Sequence, residues 1–293
     1  MRRISDLRRC HRGFTLVEAI VVMVVTSILA ATVAVFIRGP VQAYFDTVRR
    51  ADLADTADGA LRRLTRELQG ALPNSVRVSP DGQFIEFLPV LDAGRYRTDV
   101  PGNVLDFSSA PAAGQPVSFD VLGPSVSIAP GSSIVIYNLG QPGADAYEQP
   151  ASNLRPVVAT GTGLGSVTFT SSGSPFPFAS PANRFQVVGT PVTYVCVADA
   201  ANPDNGVLRR YSGYGIQASQ LTSEAALKGL SGVSSAIAAG QVQQCTISYN
   251  NSSNSNSNSE VLLRNGLVTL TLSLSKGGET VALLQQVNLV NTP

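Results

Sequence analysis

From Phe14 the chain holds apolar side chains at almost every position: Phe14-Thr15-Leu16-Val17, then, past Glu18, a run from Ala19 to Ile37 that carries no charge. Those nineteen residues, extended by the apolar positions of 14 to 17, suffice as a helix to cross a hydrocarbon core of roughly 30 Å at about 1.5 Å per residue. Gly39-Pro40 follows, and the proline, lacking a backbone donor, predicts a kink or a loosened turn there. Beyond it the pattern changes. Ala51, Ala54, Ala57, Leu61, Leu64, Leu68 and Leu72 recur at intervals of mostly three and four, a single helical stripe, with Arg49, Arg50, Asp52, Asp55, Asp58, Arg62, Arg63, Arg66 and Glu67 on much of the remaining surface. Pro73-Asn74 stops it. Read without interruption, Phe14 to Leu72 is one helix of 59 residues, roughly 90 Å long; a separate amphipathic helix after a break at Gly39-Pro40 is the alternative.

Residues 75 to 293 alternate instead with a period near two, in short runs separated by Gly, Pro, Ser and Asn. Ser75 to Val78 and Gln83 to Val90 predict a hairpin about Pro80-Asp81-Gly82. Further strands are predicted over Ser133 to Asn138, Ser166 to Thr170, Arg184 to Val188, Val192 to Ala198, Val207 to Tyr211, Gln243 to Tyr249, Leu267 to Leu274 and Thr280 to Leu289. Lys276-Gly277-Gly278-Glu279 turns the last two, and Asn202-Pro203-Asp204-Asn205-Gly206 turns another pair. The tract from Asn250 to Ser259, nearly all Ser and Asn, has nothing to bury and predicts an exposed loop. The fold class is therefore α+β, one long N-terminal helix packed on a mainly antiparallel β domain.

The chain is 44% hydrophobic, which argues against wholesale disorder, and its formal charge of +1 leaves no basic excess for a nucleic-acid backbone. That balance hides an asymmetry. Residues 1 to 13 hold Arg2, Arg3, Arg8, Arg9 and Arg12 against Asp6, a local +4, so the rest sums to −3. Arginines before the apolar run predict a single-pass protein with a cytoplasmic N-terminus and an external domain. Three readings compete for this segment. A cleaved secretory signal has a small-x-small site at Thr32-Val33-Ala34, but the apolar stretch exceeds the roughly 7 to 15 residues of such signals. A plain anchor explains the length and leaves Glu18 unexplained, since a mid-membrane charge costs about 2.5 to 3.5 kcal/mol on insertion scales.

The third reading gives the glutamate a purpose. Gly13-Phe14-Thr15-Leu16-Val17-Glu18, behind a short basic leader and ahead of an apolar helix, resembles the N-terminus of type IV prepilins and type II secretion pseudopilins. The resemblance implies that prepilin peptidase cuts between Gly13 and Phe14 and that Phe14 is N-methylated. Its α-ammonium would then pair with Glu18, of its own chain or a neighbour, as an assembly salt bridge. It implies a leader over 1–13, a membrane and filament-core helix over 14–38, an amphipathic continuation over 39–74 and a periplasmic β-rich domain over 75–293. Implied partners are other major and minor pilins through the helix, the peptidase, an inner-membrane assembly platform and membrane lipid, in a Gram-negative envelope and then a fibre. Weaker likenesses, in Leu72-Pro73-Asn74-Ser75-Val76-Arg77, in Arg210-Tyr211-Ser212-Gly213-Tyr214-Gly215-Ile216 and in the closing hairpin 266–293, are to minor pilins of the mannose-sensitive haemagglutinin (MSHA) pilus. Those in turn are similar to J-type minor pseudopilins of type II secretion, the alternative assignment. A membrane-anchored periplasmic binding or enzymatic domain is a further alternative.

With the leader removed, Cys10 and the only histidine, His11, go too, leaving Cys196 and Cys245 as an even pair in a compartment that permits a disulfide. Two buried free thiols are the competing reading. Asp199 and Asp204, with Asn202 and Asn205, offer the oxygen ligands calcium takes, though a Pro-Asp-Asn-Gly sequence more often simply turns. The spacing of Asp52, Asp55 and Asp58 beside arginines reads as a solvated helix face, not a metal ladder. There is no nucleophile elbow, phosphate loop or dinucleotide fingerprint. No enzyme activity and no cofactor are expected.

Overall fold

The computed structural model describes residues 13–148, 153–250 and 265–292. The leader with Cys10 and His11, and the Ser/Asn tract from residue 251 on, lie outside the described residues. The chain falls into two compact units, residues up to Ala51 and residues from Asp52 onward.

One helix, α1 (Leu16–Gln69), has 54 residues, about 80 Å of rise. Its start is a T-x-x-E capping pattern: the Glu18 amide donates to Thr15 Oγ1 at 3.2 Å and the Ala19 amide to the Thr15 carbonyl at 3.2 Å. The break that Gly39-Pro40 allows is not taken, and α1 runs through Pro40. One missing donor inside so long a ladder leaves the turns on either side bonded. The helix stops at Gln69 instead of Leu72 because the sheet recruits the next residues. Leu72 N–H donates to the Leu88 carbonyl at 2.8 Å, and Val90 N–H to the Gly70 carbonyl at 2.9 Å.

Within the second unit, α1 buries Leu53, Ala57, Ala60, Leu61, Leu64 and Leu68. The stripe is the predicted one from Ala57 onward. Before that, Leu53 takes the buried place while Ala51 is exposed and Ala54 half-buried. The reason is phase: 53, 57, 60, 61, 64 and 68 share one face at 3.6 residues per turn, and 51 lies off it. These side chains form one core with Ile85, Phe87, Tyr194, Val268, Leu270 and Leu272 from the sheets.

A five-stranded antiparallel sheet runs in the order β1 (Arg77–Val78), β2 (Phe84–Phe87), β11 (Val192–Val197), β12 (Val207–Ser212), β13 (Ser234–Gly240). A three-stranded sheet follows as β14 (Val242–Asn250), β15 (Asn265–Lys276), β16 (Glu279–Val290). A second core lies on a six-stranded sheet of β7 (Leu154–Pro156), β6 (Ser133–Val135), β10 (Arg184–Val188), β3 (Val90–Tyr96), β4 (Pro116–Leu122) and β9 (Ser166–Thr170). There Phe119 contacts Phe185 edge to face, with ring centroids 5.1 Å apart, and Phe169 and Phe176 pack beside them. The pair β5 (Val126–Ile128) and β8 (Gly161–Leu164), and a short helix α2 (Glu224–Lys228), complete the described elements that matter here.

All the predicted strands are present, the hairpin about Pro80-Asp81-Gly82 among them. Gly82 sits at φ +67, and a Cβ there would lie 2.7 Å from the Ile247 carbonyl oxygen, whose own amide bonds the Gly82 carbonyl at 2.9 Å. The turn thereby docks on β14, which only a glycine permits. Unpredicted were chiefly β3, β4 and β13. The last, Ser-Ser-Ala-Ile-Ala-Ala-Gly, has little strand preference of its own and is held by pairing along β12.

Ion pairs tie the elements together. Arg210 Nε donates to Glu67 Oε2 at 2.9 Å and Arg63 Nε to Glu67 Oε1 at 3.1 Å, linking the end of α1 to β12. Arg77 bonds Glu86 at 2.9 Å and stacks 3.8 Å over the Tyr147 ring. Burial pushes the Glu86 carboxyl up, and Arg77 opposes that shift. Cys196 on β11 and Cys245 on β14 form a disulfide with Cα atoms 6.3 Å apart, joining the five-stranded and three-stranded sheets. Replacing both by alanine in the full chain is expected to lower unfolding free energy by about 2–5 kcal/mol. The check is the denaturant midpoint by circular dichroism in detergent; an unchanged midpoint contradicts a stabilising bridge.

Candidate functional site

The first unit is a helix that is largely exposed among the described residues. Phe14, Leu16, Val35 and Phe36 are each at least 70% exposed, and every residue from Ile20 to Phe45 is exposed. α1 is long and apolar enough to cross a membrane. The three hydroxyls of its uncharged run are already satisfied. Thr26 Oγ1 donates to the Val22 carbonyl at 2.7 Å, Ser27 Oγ to the Met23 carbonyl at 2.6 Å, and Thr32 Oγ1 to the Leu29 carbonyl at 2.8 Å. Polar groups bonded within the helix enter an apolar medium at far lower cost than free ones.

Glu18 is the sole charge between Phe14 and Ile37. It occupies the first turn of α1, where the helix dipole favours an anion, and its side chain is exposed. Among the described residues no cation pairs with its carboxylate, while three carboxylates further along meet partners: Asp46 with Arg49 at 3.2 Å, Asp58 with Arg62 at 2.7 Å, Glu67 with Arg63 at 3.1 Å. Gly13 and Phe14 precede the helix in exposed chain outside any helix or strand. Thr15, the cap, is the residue that sequence reasoning passed over; its signal was the T-x-x-E spacing to Glu18.

Asp199 lies in the β11–β12 turn, where its carboxylate accepts from the amides of Asn202 at 2.8 Å and Ala201 at 3.0 Å and from Asn205 Nδ2 at 3.4 Å. Those donors, led by the Asn202 amide, hold its carboxyl below the usual carboxylate range. Asp204 sits in a 3-10 turn, Pro203–Asn205. Local donors thus already engage the Asp199 oxygens that would bind calcium, and among the described residues no group of three or more His, Cys, Asp or Glu could hold a metal.

Against known proteins, residues 8–34 match the family model described as the prokaryotic N-terminal methylation motif. No curated protein and no solved structure matches the chain. The methylation-motif match spans the leader end, Gly13-Phe14 and Glu18 together with the first part of the exposed apolar helix, and so supports a type IV pilin-like or pseudopilin subunit, anchored in a membrane by α1.

Proposed function

We propose that this chain is a minor pilin-like structural subunit of a type IV pilus of the MSHA type, most like the minor pilin MshO, acting in assembly initiation or at the fibre tip. It is made as a precursor with its N-terminus in the cytoplasm and its β domain in the periplasm, as the arginine-rich leader supports. Prepilin peptidase cuts between Gly13 and Phe14 and the new terminus is methylated. The observation that carries this reading is the coincidence of the methylation motif with an apolar first stretch of α1, Ile20 to Phe45, that is exposed throughout among the described residues.

The mechanism follows from solvent exchange. In the bilayer α1 is covered by acyl chains; in a fibre it is covered by the helices of sister subunits. Both surroundings are apolar, so the transfer changes little in hydrophobic free energy and is decided by packing and polar contacts. Cleavage supplies the decisive polar contact. It converts the Phe14 amide nitrogen into an α-ammonium, which methylation leaves charged, and a cation is then available for Glu18 where none pairs with it among the described residues. In a low dielectric a paired carboxylate is tolerated and an orphaned one costs several kcal/mol. Glu18 therefore selects the helix stagger at which an ammonium faces it. The β domain is left to choose neighbours.

Mass spectrometry of the mature N-terminal peptide tests this. The expected peptide begins at Phe14 and is heavier by one methylene; a peptide beginning at Met1 or near Val35 contradicts the reading.

A further inference from the structure

The closing hairpin ends on an edge strand unlike the others. β16 is twelve residues long, pairs with β15 in unbroken register from Glu279 to Val290, and is last in its sheet. Among the described residues, no backbone–backbone hydrogen bond ties Thr280–Val290 to anything but β15; the one side-chain bond to this backbone is local, from Gln285 Nε2 to the Gln286 carbonyl at 3.4 Å. Long, regular, uncharged edges invite another strand, and folded proteins ordinarily blunt them with charges, prolines, bulges or brevity. The remaining edges are blunted or short. β1 has two residues, one of them Arg77; β7 has three, with Arg155 and Pro156; β5 and β8 have three and four with a register slip; β14 slips register and is bonded from its flank by the Gly82 turn. β9 has five, one in a bridge to Val157, and β13 seven, with a slip in its pairing to β12. Between Thr280 and Pro293 there is neither a charge nor an internal proline. On the outer face Leu284 is 64% and Val290 75% exposed.

A second feature says what kind of strand fits. A cleft of about 350 Å³ opens beside the C-terminal end of β16, lined by Leu289, Val290 and Asn291 on one side and by the end of α1, Pro73 and Val90 on the other. No β15 residue lines it, and β16 contributes Leu289 and Val290 to it. The lining is mostly aliphatic. Two copies of β16 paired antiparallel over their whole length would bring Glu279 and Thr280 to this cleft, and burying a carboxylate there is unfavourable. A neutral strand with an aliphatic residue at that point fills it.

From this we infer that β16 is a strand-acceptor edge, completed by an extended, uncharged segment of a different subunit of the fibre, with an aliphatic side chain in the cleft. Main-chain hydrogen bonds would supply affinity and the cleft specificity, as in other strand-addition interfaces. The inference rests on the pilin reading and names a partner surface on the domain, separate from the apolar helix.

The test uses full-length protein in its own cells, comparing wild type with Leu284→Lys and Leu284→Thr. Leu284 is exposed, so neither change reaches the core; the unfolding midpoint of each purified variant checks this. Expected are normal cutting and Phe14 methylation for both, fibre incorporation reduced about tenfold or more for Leu284→Lys, a loss near 1.4 kcal/mol, and wild-type incorporation for Leu284→Thr. Methylated Leu284→Lys entering sheared fibres at the wild-type level overturns the edge assignment alone. Uncut chains overturn the pilin reading with it. A dimer of the purified wild type in detergent that Leu284→Lys abolishes would give the edge to a second copy and overturn the choice of a different subunit.

Discussion

Among the described residues, more than a dozen large apolar side chains between Phe14 and Val48 are left exposed. At about 1.5 to 3 kcal/mol for each such side chain fully buried, leaving them half-wet costs on the order of 20 kcal/mol, more than the roughly 5 to 15 kcal/mol that holds an ordinary domain folded. No feature of the β domain competes with that quantity. The stretch from Phe14 to Val48 must be surrounded by lipid or by other apolar helices, and the domain must fold without that stretch. The second condition is met: every core cluster draws its residues from Leu53 onward.

The same helix serves both demands because its surface changes character along its length. Before Arg38 it offers aliphatic side chains on all sides; after Val48 it offers a single stripe that the sheets cover, with arginines and carboxylates facing water. Glu67, held by Arg63 and Arg210, fixes the helix end against β12, and the Leu72 to Leu88 hydrogen bond turns the backbone into the sheet. Local charges and the disulfide set the domain's geometry, while hydrophobic surface sets where the whole chain can reside.

How much of this can be read from residues alone depends on whether a signal is local. The methylation motif, the apolar run and the α1 stripe from Ala57 are periodic or contiguous, so they are legible. So is the Lys276 to Glu279 hairpin, where two glycines separate alternating runs. β13 is not, because its alanines become a strand only when β12 is present to pair with them. Leu53 was missed by counting back from Ala57 through smaller alanines instead of following helical phase. The uninterrupted reading through Pro40 holds, since one lost hydrogen bond does not end a helix supported on both sides. The β16 edge is invisible in sequence, for its isolation depends on the order of strands in the sheet.

The most direct test of the account replaces Glu18 by leucine in the full-length chain and measures, in the same cells, the ratio of subunit in sheared fibres to subunit in the membrane. Leucine fits lipid at least as well as glutamate but offers no partner to the Phe14 ammonium. The account predicts a variant that reaches the membrane normally and falls at least about tenfold in that ratio, the loss of roughly 1.4 kcal/mol or more of stagger selection. Entry into fibres at the wild-type ratio would contradict it.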